Sequence, residues 1–154
     1  MRLDAPATIG VISDTHGSLN PAVAEAFRGV DLIVHAGDIG GQGLVLELET
    51  IAPVVAVRGN TDTARWALDL PLVASVRVGL IVLRVAHDAT AVAADGASVV
   101  VSGHTHRPAV EQVRGVLRLN PGSASEPRTP VRHPTVALLH IAADGHAVAR
   151  ISTL

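Results

Sequence analysis

Five short stretches of the sequence hold the side chains able to do chemistry: Ser13-Asp14-Thr15-His16-Gly17, His35-Ala36-Gly37-Asp38, Gly59-Asn60-Thr61-Asp62, Ala86-His87-Asp88 and Gly103-His104-Thr105-His106. Residues two apart in extended chain face the same side, so Asp14 and His16 can reach one point, as can His104 and His106. Carboxylate, imidazole and carboxamide donors together suit Mn, Fe, Zn or Ni better than Ca or a thiolate-seeking metal. The donors outnumber the needs of one four- or six-coordinate ion, so two ions sharing one carboxylate is the economical arrangement. Two divalent ions against Asp14 and Asp38 leave a local charge of about +2, or about +1 with a bridging hydroxide, which attracts an anionic phosphate ester.

The elements that must present these groups show as apolar runs. Residues 7–13, 30–36, 53–58, 80–86 and 98–102 are short, rich in Val and Ile, and closed by Gly- or Asp-containing turns, so they are expected to be buried strands. Side chains at the C-terminal ends of such strands converge on one rim of an α/β sheet, where ligands bind. Residues 20–29 offer Asn as N-cap, Pro at the first helical position and Gly as a stop, which predicts a short helix. A second helix is expected over 42–51, apolar at Leu44, Val45, Leu48 and Ile51, and a third, shorter one over 88–95. Beyond Gly103 the pattern changes to strands at 109–113, 115–119, 135–141 and 146–151, the last pair joined through Asp144-Gly145. The expected fold class is α/β (α+β): a mixed sheet or two packed sheets with flanking helices, in one domain over residues 1–154.

Composition removes several alternatives. The 154 residues include no cysteine, which excludes disulfides, thiolate zinc sites and cysteine nucleophiles. Core-forming residues are mostly Ala and Val, with one Phe, one Trp and no Tyr, which suits buried strands. All twelve basic residues are Arg, scattered singly and without interleaved aromatics, so the sequence lacks the basic stripe or stacking rings of a nucleic-acid binder. The first residues lack the apolar core of a signal peptide, and no apolar stretch has the length of a membrane span. The expectation is a soluble cytoplasmic chain with no membrane partner. Charged residues make up only 17%, a hint of a surface covered by a partner subunit, as in a homo-oligomer.

The order Asp-x-His, Gly-Asp, Gly-Asn-x-Asp, His, Gly-His-Thr-His resembles the calcineurin-like metallophosphoesterase superfamily, and most closely its small bacterial YfcE-type phosphodiesterases. The resemblance runs from about residue 9 to 128 and includes Leu119-Asn120-Pro121-Gly122-Ser123, similar to a loop that follows the Gly-His-x-His motif in those proteins. It implies a two-sheet β sandwich flanked by helices in four layers. It also implies a first ion held by Asp14, His16, Asp38 and His106, and a second held by Asp38, bridging, with Asn60, His87 and His104. The implied cofactors are two divalent ions, Mn²⁺ foremost and otherwise Fe, Ni or Zn. The implied chemistry is in-line attack of a metal-bound hydroxide on the phosphorus of a small ester, with Asp38, Asn60 and His104 as the catalytic residues. Two positions depart from the pattern. Thr61 stands where many superfamily members have a His that protonates the leaving group. Asp88 stands where the family usually has Gly, so its carboxylate could bind the second ion, repel substrate or start a helix.

Plainer readings stand beside these. Asp14, Asp38 and Asn60 each suit a turn, and a single histidine such as His87 on an apolar strand can be a core residue. His35 is expected to lie in the core near Asp38, whereas His133, His140 and His146 decorate loops or strands. Asn120-Pro121-Gly122 reads as a turn that could touch the site. Arg107 and Arg128 are surface residues or phosphate contacts, and Trp66 is either core or cleft rim. Gly37 to Gly43 lacks dinucleotide-loop spacing and is set aside. Two other function classes remain, since the superfamily fold also serves the retromer coat as a protein-binding scaffold with an incomplete metal site, and a nucleotide-binding regulator would need no metal.

Overall fold

In strands buried on both faces, alternate residues must satisfy two different cores, and the central strands of this protein do so. In the computed structural model, which describes residues 1–92 and 96–154, Ile9 and Val11 of β2 (Ala7–Ile12) point into one apolar cluster, while Ile12 points into another. Leu32 and Val34 of β3 (Leu32–His35) join the first and Ile33 the second. On β10 (Thr135–Ile141), Ala137, Leu139 and Ile141 face the first, Val136 and Leu138 the second. This period-2 division is what a sheet needs when another sheet covers one face and helices the other.

With β4 (Val54–Ala56) and β11 (Ala147–Thr153), these strands form a five-stranded sheet in the order β11-β10-β2-β3-β4. The β2, β3 and β4 strands are parallel, and β10 runs antiparallel to β2. The second sheet has six strands. They are β1 (Arg2–Leu3), β5 (Val73–Val78), β6 (Ile81–Ala86), β7 (Val99–Val101), β8 (Ala109–Val113) and β9 (Val116–Asn120), in the order β1-β5-β6-β7-β9-β8. Leu83, Val85, Val99, Val101, Leu117 and Leu119 come from this sheet to close the first cluster between the layers.

Helices α1 (Ala22–Ala26) and α2 (Gln42–Glu49) cover the outer face of the five-stranded sheet through Val23, Leu44 and Leu48. The N-cap of α1 is Pro21 and not the Asn20 expected there, although Asn20 still accepts the Ala22 N–H at 3.0 Å, and Gly29 turns the chain out at φ +76°. The expected α/β sandwich is therefore present; β2, β3, β4, β6, β7 and both helices are shorter than the segments expected, while β8 and β10 keep the expected bounds. Of the helix expected over 88–95, the described part is a 3₁₀ turn at Ala89–Ala91, and residues 93–95 lie outside the described residues. No helix among the described residues is long and apolar enough to cross a membrane.

Trp66 belongs to the helix-side core with Leu70, not to the cleft rim. His140 is exposed on β10, 3.2 Å from the Thr8 hydroxyl, and His133 and His146 are also peripheral. Strand β5 had no counterpart in the run-based reading. Its outward Val73, Ser75 and Arg77 alternate with inward Ala74, Val76 and Val78, so it never forms a continuous apolar run.

Gly10 shows how tightly α1 is seated. A Cβ there would lie 2.9 Å from the ring of Phe27, which is fully buried. Gly10→Ala should cost about 1–3 kcal/mol by overpacking. Gly43 lies in α2, where an added Cβ would meet nothing within 4 Å. Gly43→Ala should instead gain about 0.5–1 kcal/mol. Urea unfolding of both variants checks the pair, and equal shifts would contradict the seating.

Candidate metal centre

Every candidate donor sits just past a strand on the same rim. Asp14 and His16 follow β2, Asp38 follows β3, and Asn60 lies on the segment after β4. His87 follows β6, and His104 and His106 follow β7. Five of these seven, Asp14, His16, Asp38, His104 and His106, have φ between +46° and +69°. Asp and His tolerate the left-handed region better than bulky residues do, but each such residue still costs about 1–3 kcal/mol unless its surroundings over-determine it.

That determination comes from bonds between loops. The Asp14, His16 and Gly17 N–H groups donate to the Gly37, Asp38 and Ile39 carbonyls at 3.0, 3.0 and 2.7 Å, which extends the β2–β3 pairing beyond the strands. The buried Asp62 carboxylate, a role the sequence reading did not weigh, accepts the N–H groups of Ile39, Gly40 and Gly59, each at 2.9 Å, and so clamps the second loop to the third. The Ser123 hydroxyl donates to the Asp14 carbonyl at 2.7 Å, and the Ser125 hydroxyl to the Thr15 carbonyl at 2.9 Å. Asn120 donates to the Gly103 carbonyl at 2.7 Å. The Asn-Pro-Gly loop therefore supports the site from behind. Gly59 and Gly103 permit this crowding: a Cβ on Gly59 would fall on the Asp38 backbone nitrogen, and one on Gly103 on the Ser13 hydroxyl.

The loops bring unshared lone pairs together. His106 Nδ1 lies 2.5 Å from the Glu126 carbonyl, which can only accept, so the ring proton sits there and Nε2 is bare. That Nε2 is 3.1 Å from Asp14 Oδ1 and 3.3 Å from His16 Nε2. Asp14 Oδ1 is buried and has no hydrogen donor. Beside it, His87 Nδ1 is held by the Ala36 carbonyl at 2.8 Å, which turns Nε2 toward Asp38 Oδ2 at 3.3 Å and Asn60 Oδ1 at 3.0 Å. His104 Nδ1 is 3.1 Å from the same Asn60 oxygen. Asp14, His16 and His106 form one group able to hold a metal ion, and Asp14, Asp38 and His87 another. An orphaned buried carboxylate oxygen facing bare imidazole nitrogens is a donor set that fits divalent cations.

The electrostatics agree. Burial pushes Asp14 above the ordinary carboxylate value, with Ser13, His87 and His106 offsetting only part. Burial also acts to raise Asp38, but hydrogen bonds from His87 and the Thr61 N–H, with the His87 charge, hold it well below that value. Burial acts to lower His87, but its hydrogen bonds to Asp38 and the Ala36 carbonyl, with the charges of Asp38 and Asp14, outweigh it and raise His87 above its ordinary value.

The arrangement corrects one expectation. Asp14 and His16 share a point, but His104 and His106 do not: His106 joins Asp14, and His104 joins Asn60 and His87. With φ of +69° and +58° the chain curls there, and the side alternation of an extended strand does not apply. Asp88 caps the 3₁₀ turn, accepting from the Thr90 N–H and hydroxyl at 2.8 Å, and those bonds hold it below its ordinary value. Arg107 and Arg128 are exposed, and the Arg107 guanidinium donates to the Thr129 carbonyl at 3.5 Å.

Residues 8–144 match the model of the calcineurin-like phosphoesterase superfamily domain. A probable metallophosphoesterase of Methanothermobacter thermautotrophicus is 39% identical over 86% of this chain and 85% of its own. Among solved structures, a novel archaeal phosphodiesterase superposes with a TM-score of 0.75 at 24% identity, covering 94% of this chain and 99% of that one. Wild-type Vps29 of Entamoeba histolytica, complexed with zinc, gives 0.74 at 22% identity, covering 95% and 98%. These two likenesses concern the fold.

His35 links the first two loops. The Gly37 N–H donates to its Nδ1 at 3.2 Å, so its proton is on Nε2, directed at the Thr15 hydroxyl 2.9 Å away, which in turn donates to the Ile39 carbonyl. Full burial pushes its pKa down from 6.5 to about 3. The unfolded chain therefore takes up a proton below pH 6.5 that the folded chain refuses until about pH 3, and stability falls through that window as pH falls. At pH 4.5 the loss from this group should be about 2–3 kcal/mol. Urea midpoints of the metal-stripped protein at pH 7 and 4.5 should converge more for His35→Asn than for the wild type, and an identical pH slope would contradict the assignment.

Proposed function

Because the chain belongs to the calcineurin-like phosphoesterase superfamily, we propose that its site hydrolyses small phosphate esters, phosphodiesters foremost, with two divalent cations, of which Mn²⁺ is favoured. The observation that carries the reading is the orphaned Asp14 Oδ1 facing the bare Nε2 of His106, beside the hydrogen-bonded Asp38–His87 pair. Asp14, His16, Asp38 and His106 would hold one ion, and Asp38, Asn60, His87 and His104 the other. When bound, the ions supply Lewis-acid polarisation of the phosphoryl group and lower the pKa of water to make a nucleophile at neutral pH.

The chain's own groups do the rest. Asp14 is the carboxylate common to the two groups the structure brings together, and the 3.3 Å from Asp38 to His87 with 4.0 Å to His16 supports the shared role proposed for Asp38. Asn60 and His104 are exposed on the open side, where an ester oxygen would meet them. Thr61 is a poor acid, so the leaving group departs as a stable anion or takes its proton from water. A diester preference is supported by the fold shared with the archaeal phosphodiesterase.

A scaffold reading draws on the likeness to Vps29. The complete donor set favours chemistry over it.

Hydrolysis of an aryl phosphodiester and an aryl phosphomonoester by chelator-stripped protein should be absent and should return with Mn²⁺, the diester being the better substrate. Asp38→Asn, which removes the shared charge, should lower kcat/KM at least about 100-fold. Near-normal turnover in that variant, or turnover indifferent to the chelator, would refute the reading. A better monoester would move it to a phosphatase.

A further inference from the structure

Beside the donor groups the site opens into a cleft of about 220 Å³ with Asn60, His87 and His104 at its polar end. Its other walls are Arg58, Gly59, Leu72, Asp88 and Ala91, and the Asp88 carboxylate is engaged by the Thr90 N–H and hydroxyl. Neither ion binding nor phosphate binding requires an aliphatic wall. Leu72 is 59% exposed, and Leu68, at 57%, lines an adjoining cleft that shares Arg58, Asn60 and Leu72. On the same segment, Trp66 and Leu70 pack into the helix-side core, so the two open leucines are not surplus core. Adjacent large apolar side chains left open beside a polar floor mark a surface that an apolar group covers.

Arg58 adds a second property. Among the described residues the arginine paired with a carboxylate is Arg28, with Glu25, and Arg58 has no such partner. A guanidinium lying in a cleft next to aliphatic walls is suited to stacking on a flat ring while contributing positive charge toward an anion.

We propose that this cleft is the subsite for a flat, apolar-faced ring carried by the phosphate ester, and that Leu72 and Arg58 are its specificity-determining residues. The inference rests on the phosphoesterase reading of the polar end: with the phosphoryl group at Asn60 and His104, the ester's organic group extends along Leu72 and Ala91. A small alkyl group would leave that wall in water, and a ring covers it. The ring is either joined directly to phosphorus or its ester oxygen, as in aryl esters, or carried across a sugar, as in nucleotides.

Calorimetric titration of the Mn²⁺-loaded protein with phenylphosphonate, adenosine monophosphate and methylphosphonate tests this without turnover. At least one ring-bearing ligand should bind about tenfold tighter than methylphosphonate. Phenylphosphonate ahead identifies a directly attached ring, and adenosine monophosphate ahead identifies one reached across a sugar. Leu72→Ser and Arg58→Gln, both away from the buried core, should each cut the preference to about threefold or less. Equal affinities in the wild type, or a preference that survives both substitutions, would overturn the proposal. Ring preference without hydrolysis of any ester would count against the enzyme reading and leave the subsite standing. Hydrolysis without ring preference would do the reverse.

Discussion

Asp14 and Asp38 are two carboxylates buried within reach of the same imidazoles, and the rest of the molecule is arranged around that placement. Like charges so close and so poorly hydrated destabilise a fold unless something positive lies between them. The protein does not answer with arginine: among the described residues, none pairs with either carboxylate. It answers with histidines. Ala36 and Glu126 carbonyls fix the Nδ1 protons of His87 and His106, which turns Nε2 of His87 to Asp38 and the bare Nε2 of His106 to Asp14. A lone pair facing a carboxylate oxygen, as at His106 and Asp14, is repulsive by itself and cohesive only around a cation.

Holding that arrangement demands a backbone that no strand or helix supplies. The left-handed residues at three loops are each pinned by at least one bond to a different loop, so the loops stabilise one another where none would be stable alone. Asp62, Ser123, Ser125 and Asn120 do not join the donors, yet they fix where the donors stand. The two sheets provide the frame, since parallel β2, β3 and β4 in one and β6 and β7 in the other deliver their C-terminal ends to one rim.

Much of this was legible in the order of residues. Strand cores advertise themselves as Val- and Ile-rich runs, and the polar residue after each run identifies the rim. Asp14, Asp38, Asn60 and His87 could be read in this way because their position depends on local sequence alone. The partition of His104 from His106 could not, because it follows from two positive φ values that either Asp or His can adopt and neither requires. Strand β5 escaped because a half-exposed strand alternates Val with Ser and Arg. Asp62 sits in a motif whose turn chemistry is evident, but its three N–H partners lie on two loops up to 23 residues away. The reach of Ser123 to Asp14 spans 109 residues, and no spacing rule predicts it.

The protein thus combines an over-determined donor cluster with an open and partly apolar approach, a division that suits the phosphoesterase reading proposed above. The decisive measurement is an equilibrium Mn²⁺ titration of the metal-stripped chain, read by ion stoichiometry and thermal unfolding. Two ions per chain, with an unfolding midpoint that climbs as they bind, is the expected result. A chain that takes up less than one ion, or melts at the same temperature with and without Mn²⁺, would contradict it.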